Sequence, residues 1–95
     1  MHDTTPMATV SLYYWAGAKA AAGVSMERFE GNSVAAALEQ ARRSRGDAHF
    51  DRVLTVSSIL VDGVVARGEA LDRPLSADVR VEILPPFAGG SGSGR

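Results

Sequence analysis

The clearest periodic stretch of the chain runs from Ser33 to Arg45, where Val34, Ala37, Leu38 and Ala41 fall at i, i+3, i+4 and i+7. That spacing predicts a helix with one apolar stripe, and a stripe must be buried against something. Asn32 or Ser33 supplies the N-cap. Arg42, Arg43 and Arg45 occupy the last turn, where cations suit the helix dipole, and Gly46 closes it. The flanking segments alternate with the period of strands. One main helix laid over one face of a small sheet buries both, and leaves the other face open.

The strands are read in order. Ala8–Trp15 is rich in β-branched and aromatic residues, with Val10, Leu12 and Tyr14 on one face and Thr9, Ser11, Tyr13 and Trp15 on the other. Gly17–Gly23 holds at most a turn or two of helix. Val24–Phe29 reads as the second strand, with Val24 and Met26 inward and a bulge or strand end at Arg28-Phe29, where the alternation breaks. Phe50, Val53 and Leu54 predict a short helical turn near residues 50–55, followed by a third strand at Ser58–Val61. Asp62-Gly63, set between two apolar runs, is a type I′ hairpin signal leading into a fourth strand, Val64–Ala66. Leu71, Pro74 and Leu75 cover one end of the core. Val79–Leu84 is the fifth strand, with Val79, Val81 and Ile83 inward. This order predicts an α+β fold, a ubiquitin-like β-grasp whose mixed sheet carries one main helix on one face.

Several classes of function are disfavoured by composition. Ninety-five residues make one domain, and a net charge of -1 offers no basic patch for nucleic acid or an anionic membrane. With no cysteine there is no disulfide, thiolate metal site or cysteine nucleophile. No run approaches the length of a membrane span and no signal-peptide pattern opens the chain, so a soluble, cytoplasmic protein is expected. His2 and His49 are isolated from other ligand-bearing residues, so no metal site is expected. The arginines at the end of the helix suggest phosphate less well than they suggest a solvated last turn. Ser57-Ser58 has no histidine at a recognisable spacing, and the acidic residues are scattered singly. The chain carries no catalytic constellation of its own.

What remains is the C-terminus, Leu84-Pro85-Pro86-Phe87-Ala88-Gly89-Gly90. Two prolines lack the N–H a ladder needs, so they end the fifth strand and lead the chain off the sheet. The glycines thin the tip to bare backbone. The GGSGSG run resembles a phosphate-binding loop only superficially, since a helix must follow the glycines and here the sequence ends.

The segment Val81–Gly90, together with Val10–Gly17, the single helix and Ile59–Gly63, resembles the MoaD/ThiS family of ubiquitin-like sulfur carriers. The resemblance spans roughly residues 8–90 and is nearest to the small subunit of molybdopterin synthase. It implies that an ATP-dependent adenylating enzyme of the ubiquitin-activating type activates the carboxylate of Gly90. A sulfurtransferase persulfide then displaces AMP to leave a thiocarboxylate. The tail would enter the large synthase subunit and deliver sulfur toward molybdopterin, the chain itself holding no cofactor. On this view Gly90 is the sulfur-carrying terminus, and Gly89, Phe87, Pro86, Pro85, Leu84 and Trp15 are binding residues. Tyr13, Trp15, Leu84 and Phe87, all outward, are expected to form an apolar docking patch.

The chain departs from the family pattern in continuing past Gly-Gly with Ser91–Arg95, which displaces the carboxylate by up to ~17 Å. The expected organisation is a disordered segment 1–7, a β-grasp domain 8–84, a flexible tail 85–90 and an extension 91–95 removed by a protease. The alternative to trimming is a copy that is never charged. Other sulfur acceptors (thiamine thiazole, cysteine, tRNA), a ubiquitin-like protein modifier and a plain interaction domain stay open.

Overall fold

The computed structural model describes residues 7–86. The expectations for residues 1–6 and for 87–95, including Phe87, Gly89, Gly90 and the extension, lie outside the described residues. Five strands form one mixed sheet: β1 Ala8–Tyr14, β2 Met26–Gly31, β3 Ser58–Val61, β4 Val64–Ala66 and β5 Val79–Leu84, in the order β2-β1-β5-β3-β4. The central pair, β1 and β5, is parallel, and every other pairing is antiparallel. A parallel pair cannot be joined by a tight turn, so everything from β2 to β4 lies in the crossover between them. This is the α+β, ubiquitin-like β-grasp arrangement.

In β1 the alternation is complete: Ala8, Val10, Leu12 and Tyr14 are buried and the residues between them are half-buried. Their partners across the parallel pairing, Val81 and Ile83, are buried as well. Helix α2, Val34–Arg45, lays Val34, Ala37, Leu38 and Ala41 on this face. Two of those four are alanines, which let the helix axis approach the strands closely. Ser33 is the N-cap, its Oγ accepting from the N–H of Ala36 at 3.1 Å, and Gly46 closes the helix in the left-handed conformation at φ 58°.

Two short helices frame this layer. Helix α1, Gly17–Ala22, is the expected turn or two, and Ala18 is its buried residue. The turn expected near residues 50–55 is a full helix, α3, Ala48–Val56, with Phe50 and Leu54 buried. Its start was not read because Asp47, next to His49, looks like one scattered carboxylate. Its oxygen in fact accepts from the N–H groups of His49 (2.9 Å) and Phe50 (3.4 Å), an N-cap. Asp62-Gly63 forms the predicted turn, with both residues at positive φ (49° and 87°). It is also pinned to β5: Asp62 N–H donates to the Arg80 carbonyl at 2.8 Å, and Arg80 N–H donates to Asp62 Oδ1 at 2.9 Å. Leu71 and Leu75 pack against the core as expected, while Pro74 is exposed.

The second strand is the main correction. It begins at Met26 and runs to Gly31, in unbroken register with β1 from Met26 opposite Tyr13 to Gly31 opposite Ala8. Val24 precedes the strand and is exposed, Met26 shares the outer face with Tyr13, and there is no bulge at Arg28-Phe29. Inward positions belong to Glu27, Phe29 and Gly31, opposite Leu12, Val10 and Ala8. The alternation looked broken because a glutamate occupies an inward site.

That glutamate has partners. Tyr14 donates its hydroxyl to Glu27 Oε1 at 2.8 Å, and Arg45 Nη1 lies 2.9 Å from the same oxygen. Arg45 also donates through Nε and Nη2 to the carbonyl of Ala22, and its guanidinium lies 4.5 Å from the Phe50 ring centroid. The charge is thus matched and hydrogen-bonded at the corner where β2, α1, α2 and α3 meet. Burial, then the neighbouring Glu27, push the Tyr14 hydroxyl well above the usual phenol range.

Candidate tail base and docking face

Of the two faces of the sheet, one is covered by the helices and, among the described residues, the other carries none. On the open face the register sets Tyr13 beside Glu82, Leu60 opposite Glu82 and Leu84 opposite Ser58. Leu84 and Tyr13 therefore share a face on adjacent central strands, as expected. The Arg80 guanidinium lies 3.9 Å from the Tyr13 ring centroid and Nη2 lies 3.1 Å from Glu82 Oε2. The open face thus combines apolar side chains with an arginine–carboxylate pair that also stacks on an aromatic.

Two apolar residues on this face were not picked out by sequence reasoning. Leu60 is half-buried, and Val65, its partner on β4, is 53% exposed. The alternation of Ser58–Val61 held the signal, since Ile59 inward requires Leu60 outward. Trp15 follows the last residue of β1 and is 45% exposed. Its backbone N–H donates to the carbonyl of Ile83 at 3.2 Å, which ties the end of β1 to the end of β5.

The tail leaves from this corner. Leu84 is the last residue of β5 and is paired with Ser58, Pro85 is half-buried, and Pro86 is exposed. On the other flank an added Cβ at Gly17 would stand 4.0 Å from Pro85 Cγ, ordinary van der Waals contact. The structure therefore brings Leu84, Pro85 and the backbone of Trp15 together, and places Tyr13 next to them.

A second concavity, of about 470 Å³, lies on the helix side between α2, α3, β3 and β4. Leu38, Leu54, Ile59 and Leu71 are among its apolar residues, and Arg42 and Arg67 are its cations. It holds no nucleophile paired with a base: Ser57 Oγ donates to the Val53 carbonyl at 2.6 Å. Among the described residues no cluster of histidine and carboxylate side chains is placed to hold a metal ion, and no helix is long and apolar enough to cross a membrane. Of the arginines at the end of α2, Arg42 and Arg43 pair with Glu39, and Arg45 is engaged as described.

Comparison with known proteins decides the family. The ThiS family pattern matches residues 13–90. The chain belongs to the ThiS family. These are the ubiquitin-like sulfur carriers that the C-terminal segment resembles, and the match runs to the second glycine, leaving Ser91–Arg95 outside it. No curated protein matches the chain. Among solved structures it is similar to the small archaeal modifier protein 1 of Methanosarcina acetivorans, with 24% identity, a TM-score of 0.72, and coverage of 90% of this chain and 99% of that one. It is similar to a putative molybdopterin converting factor subunit 1 of Pyrococcus furiosus at 22% identity and TM-score 0.67, covering 84% of this chain and 99% of that one. A third likeness is to a chain in the complex of subunits 1 and 2 of the molybdopterin-converting factor of Helicobacter pylori. There the identity is 18% and the TM-score 0.57, over 86% of this chain and 99% of that one. At these identities the likenesses establish the β-grasp fold.

Proposed function

We propose that this ThiS-family protein is a sulfur carrier that works from Gly90, and that its acceptor pathway is molybdopterin formation. The observation that carries the reading is the family match ending at Gly90, the residue at which a backbone-only tip would present its carboxylate. A carboxylate is a poor electrophile. Transfer of AMP from ATP, with loss of pyrophosphate, turns it into a mixed anhydride with a good leaving group. The outer sulfur of a persulfide on a sulfurtransferase attacks the acyl carbon and AMP departs. A thiol then cleaves the sulfur–sulfur bond and leaves the thiocarboxylate on Gly90. In the first step the Gly90 carboxylate itself attacks the α-phosphorus; beyond that terminus the chain contributes no acid, base or nucleophile. It contributes a tip with no side chains to obstruct a narrow site, and from Pro85 to Gly90 a reach of up to ~20 Å.

The expected partners are an adenylating enzyme of the ubiquitin-activating type, a sulfurtransferase, a protease that removes residues 91–95, and the large subunit of molybdopterin synthase. The last is supported by the Helicobacter pylori neighbour, a complex of two converting-factor subunits. Tyr13, Trp15, Leu84 and Phe87, joined by Leu60, supply the apolar docking face, and ATP is used by the partner. Intact mass spectrometry of the protein from its native host tests the reading. A chain ending at Gly90, part of it with sulfur in place of oxygen, is expected. An intact Arg95 in every molecule would sink it.

A second reading is favoured by the small archaeal modifier neighbours: the same activated Gly90 joined to a lysine amine of another protein. It predicts higher-mass conjugates that vanish when Gly90 is deleted.

A further inference from the structure

We propose that the turn between β1 and α1 is a positioning device that seats the ring of Pro85 and so sets the direction in which the chain departs from the sheet. Its geometry stands apart from the carrier reading; its kinetic consequence rests on that reading.

Three observations converge on the turn. Trp15 N–H donates to the Ile83 carbonyl at 3.2 Å, which fastens the first residue of the turn to β5 two residues before Pro85. Ala18 N–H donates to the Trp15 carbonyl at 2.9 Å and closes a four-residue turn. Within it Ala16 has φ 50° and ψ -123°, the dihedrals of the first central residue of a type II′ turn, where glycine is the usual occupant. An alanine is strained there, and such strain persists only where the surroundings over-determine the backbone. Third, Gly17 lies across from the Pro85 ring: a Cβ added at Gly17 would stand 4.0 Å from Pro85 Cγ, so the glycine leaves room for the ring and little more.

These facts have one physical reading. A half-buried proline ring beside a rigid turn, with φ already locked, has few ways to redirect the chain that follows it. Leu84, held opposite Ser58 on β3, fixes the approach from the other flank. A glycine at 17 leaves the seat open, and an alanine at 16 narrows the conformations of the turn that forms it. Positioning matters here because misplacement of a reacting group by about 1 Å can cost about a hundredfold in rate.

The test uses the full 95-residue chain and NMR residual dipolar couplings at Phe87 and Ala88 in a weakly aligned sample. Gly17→Ile crowds the space toward Pro85, whereas Gly17→Ala adds only a Cβ that fits. The couplings should change in Gly17→Ile and match the unsubstituted chain in Gly17→Ala. In a Pro85→Ala background the Gly17→Ile change should disappear. Unchanged couplings in Gly17→Ile, or the same change with and without the Pro85 ring, overturn the proposal. If Gly17→Ile does not fold, Pro85→Ala alone decides, since couplings identical to those of the unsubstituted chain would show that no seat exists. In a charging assay on chains ending at Gly90, Gly17→Ile should lower kcat about tenfold with KM for the carrier unchanged, within the range a misplaced reactant can cost. A rise in KM alone overturns the positioning role. A Gly90-ended chain that is never charged would instead defeat the carrier reading and leave the coupling result standing.

Discussion

The two faces of one sheet divide the molecule's work. On β1, Leu12 points under α2 and is wholly buried, while Tyr13, its neighbour, lies on the open face against Arg80. The covered face is closed by side chains from α1, α2 and α3, so what it needs is volume and satisfied polar groups. Among the described residues the open face has no such cover, and its apolar side chains are spread over β1, β3, β4 and β5 around an Arg80–Glu82 pair. Residues adjacent in sequence therefore answer to different demands: one to packing, the next, on the proposed reading, to docking.

The comparison can be broken most severely on the covered side. Leu12→Ala should destabilise the fold by about 2–5 kcal/mol, by the lost burial and the cavity left behind, while Tyr13→Ala should cost much less. Urea unfolding of the two variants measures the contrast, and equal losses would erase it. The polar corner comes next. Arg45→Met leaves Glu27 without its cation and should cost about 1.5–3 kcal/mol, the range for a hydrogen bond to a charged group. Tyr14→Phe tests the same corner by pH. Because the Tyr14 hydroxyl is held above its unfolded value, its contribution is full below about pH 10 and is lost as pH rises beyond that. Stability of the unsubstituted protein should therefore fall more steeply above pH 10 than that of Tyr14→Phe, read from unfolding curves at a series of pH values. At the hairpin, Gly63→Ala forces a side chain into φ 87° and should cost about 1–2 kcal/mol in thermal or urea unfolding. The smallest effect on stability belongs to the open face. Trp15→Glu, at an exposed position, should change the unfolding free energy by no more than about 0.5 kcal/mol, and Leu84→Glu, at a half-buried one, should cost less than Leu12→Ala. Each should nevertheless weaken binding to the adenylating enzyme or the large subunit, as titration calorimetry would show. Unchanged affinity would leave the open face without its proposed role.

How much of this was legible beforehand follows the same division. Val34, Ala37, Leu38 and Ala41, the alternation of β1 and β5, and Asp62-Gly63 announce themselves because each obeys a local rule of period or dihedral. Glu27 did not, because its inward position is made possible by Arg45 and Tyr14, which reach it only through tertiary packing. Reading the alternation as broken there shifted the second strand toward Val24 and invented a bulge. Helix α3 was seen short because its first turn, Ala48-His49, is polar and its N-cap looked like a stray acid. Of the candidate site, Leu84, Pro85 and Tyr13 follow from strand parity and the prolines. The nearness of Pro85 to Gly17 brings together residues far apart in sequence and leaves no local mark. Gly90 was reached by resemblance alone and lies outside the described residues.

The central claim is that chemistry begins at a free Gly90 carboxylate. It is tested most directly by incubating the protein with ATP, the host's adenylating enzyme and a persulfide-loaded sulfurtransferase, then weighing the intact product. Two forms are compared, the 95-residue chain and one ending at Gly90. The account predicts that only the shorter form exchanges an oxygen for a sulfur. Charging of both forms alike, or of neither, would contradict it.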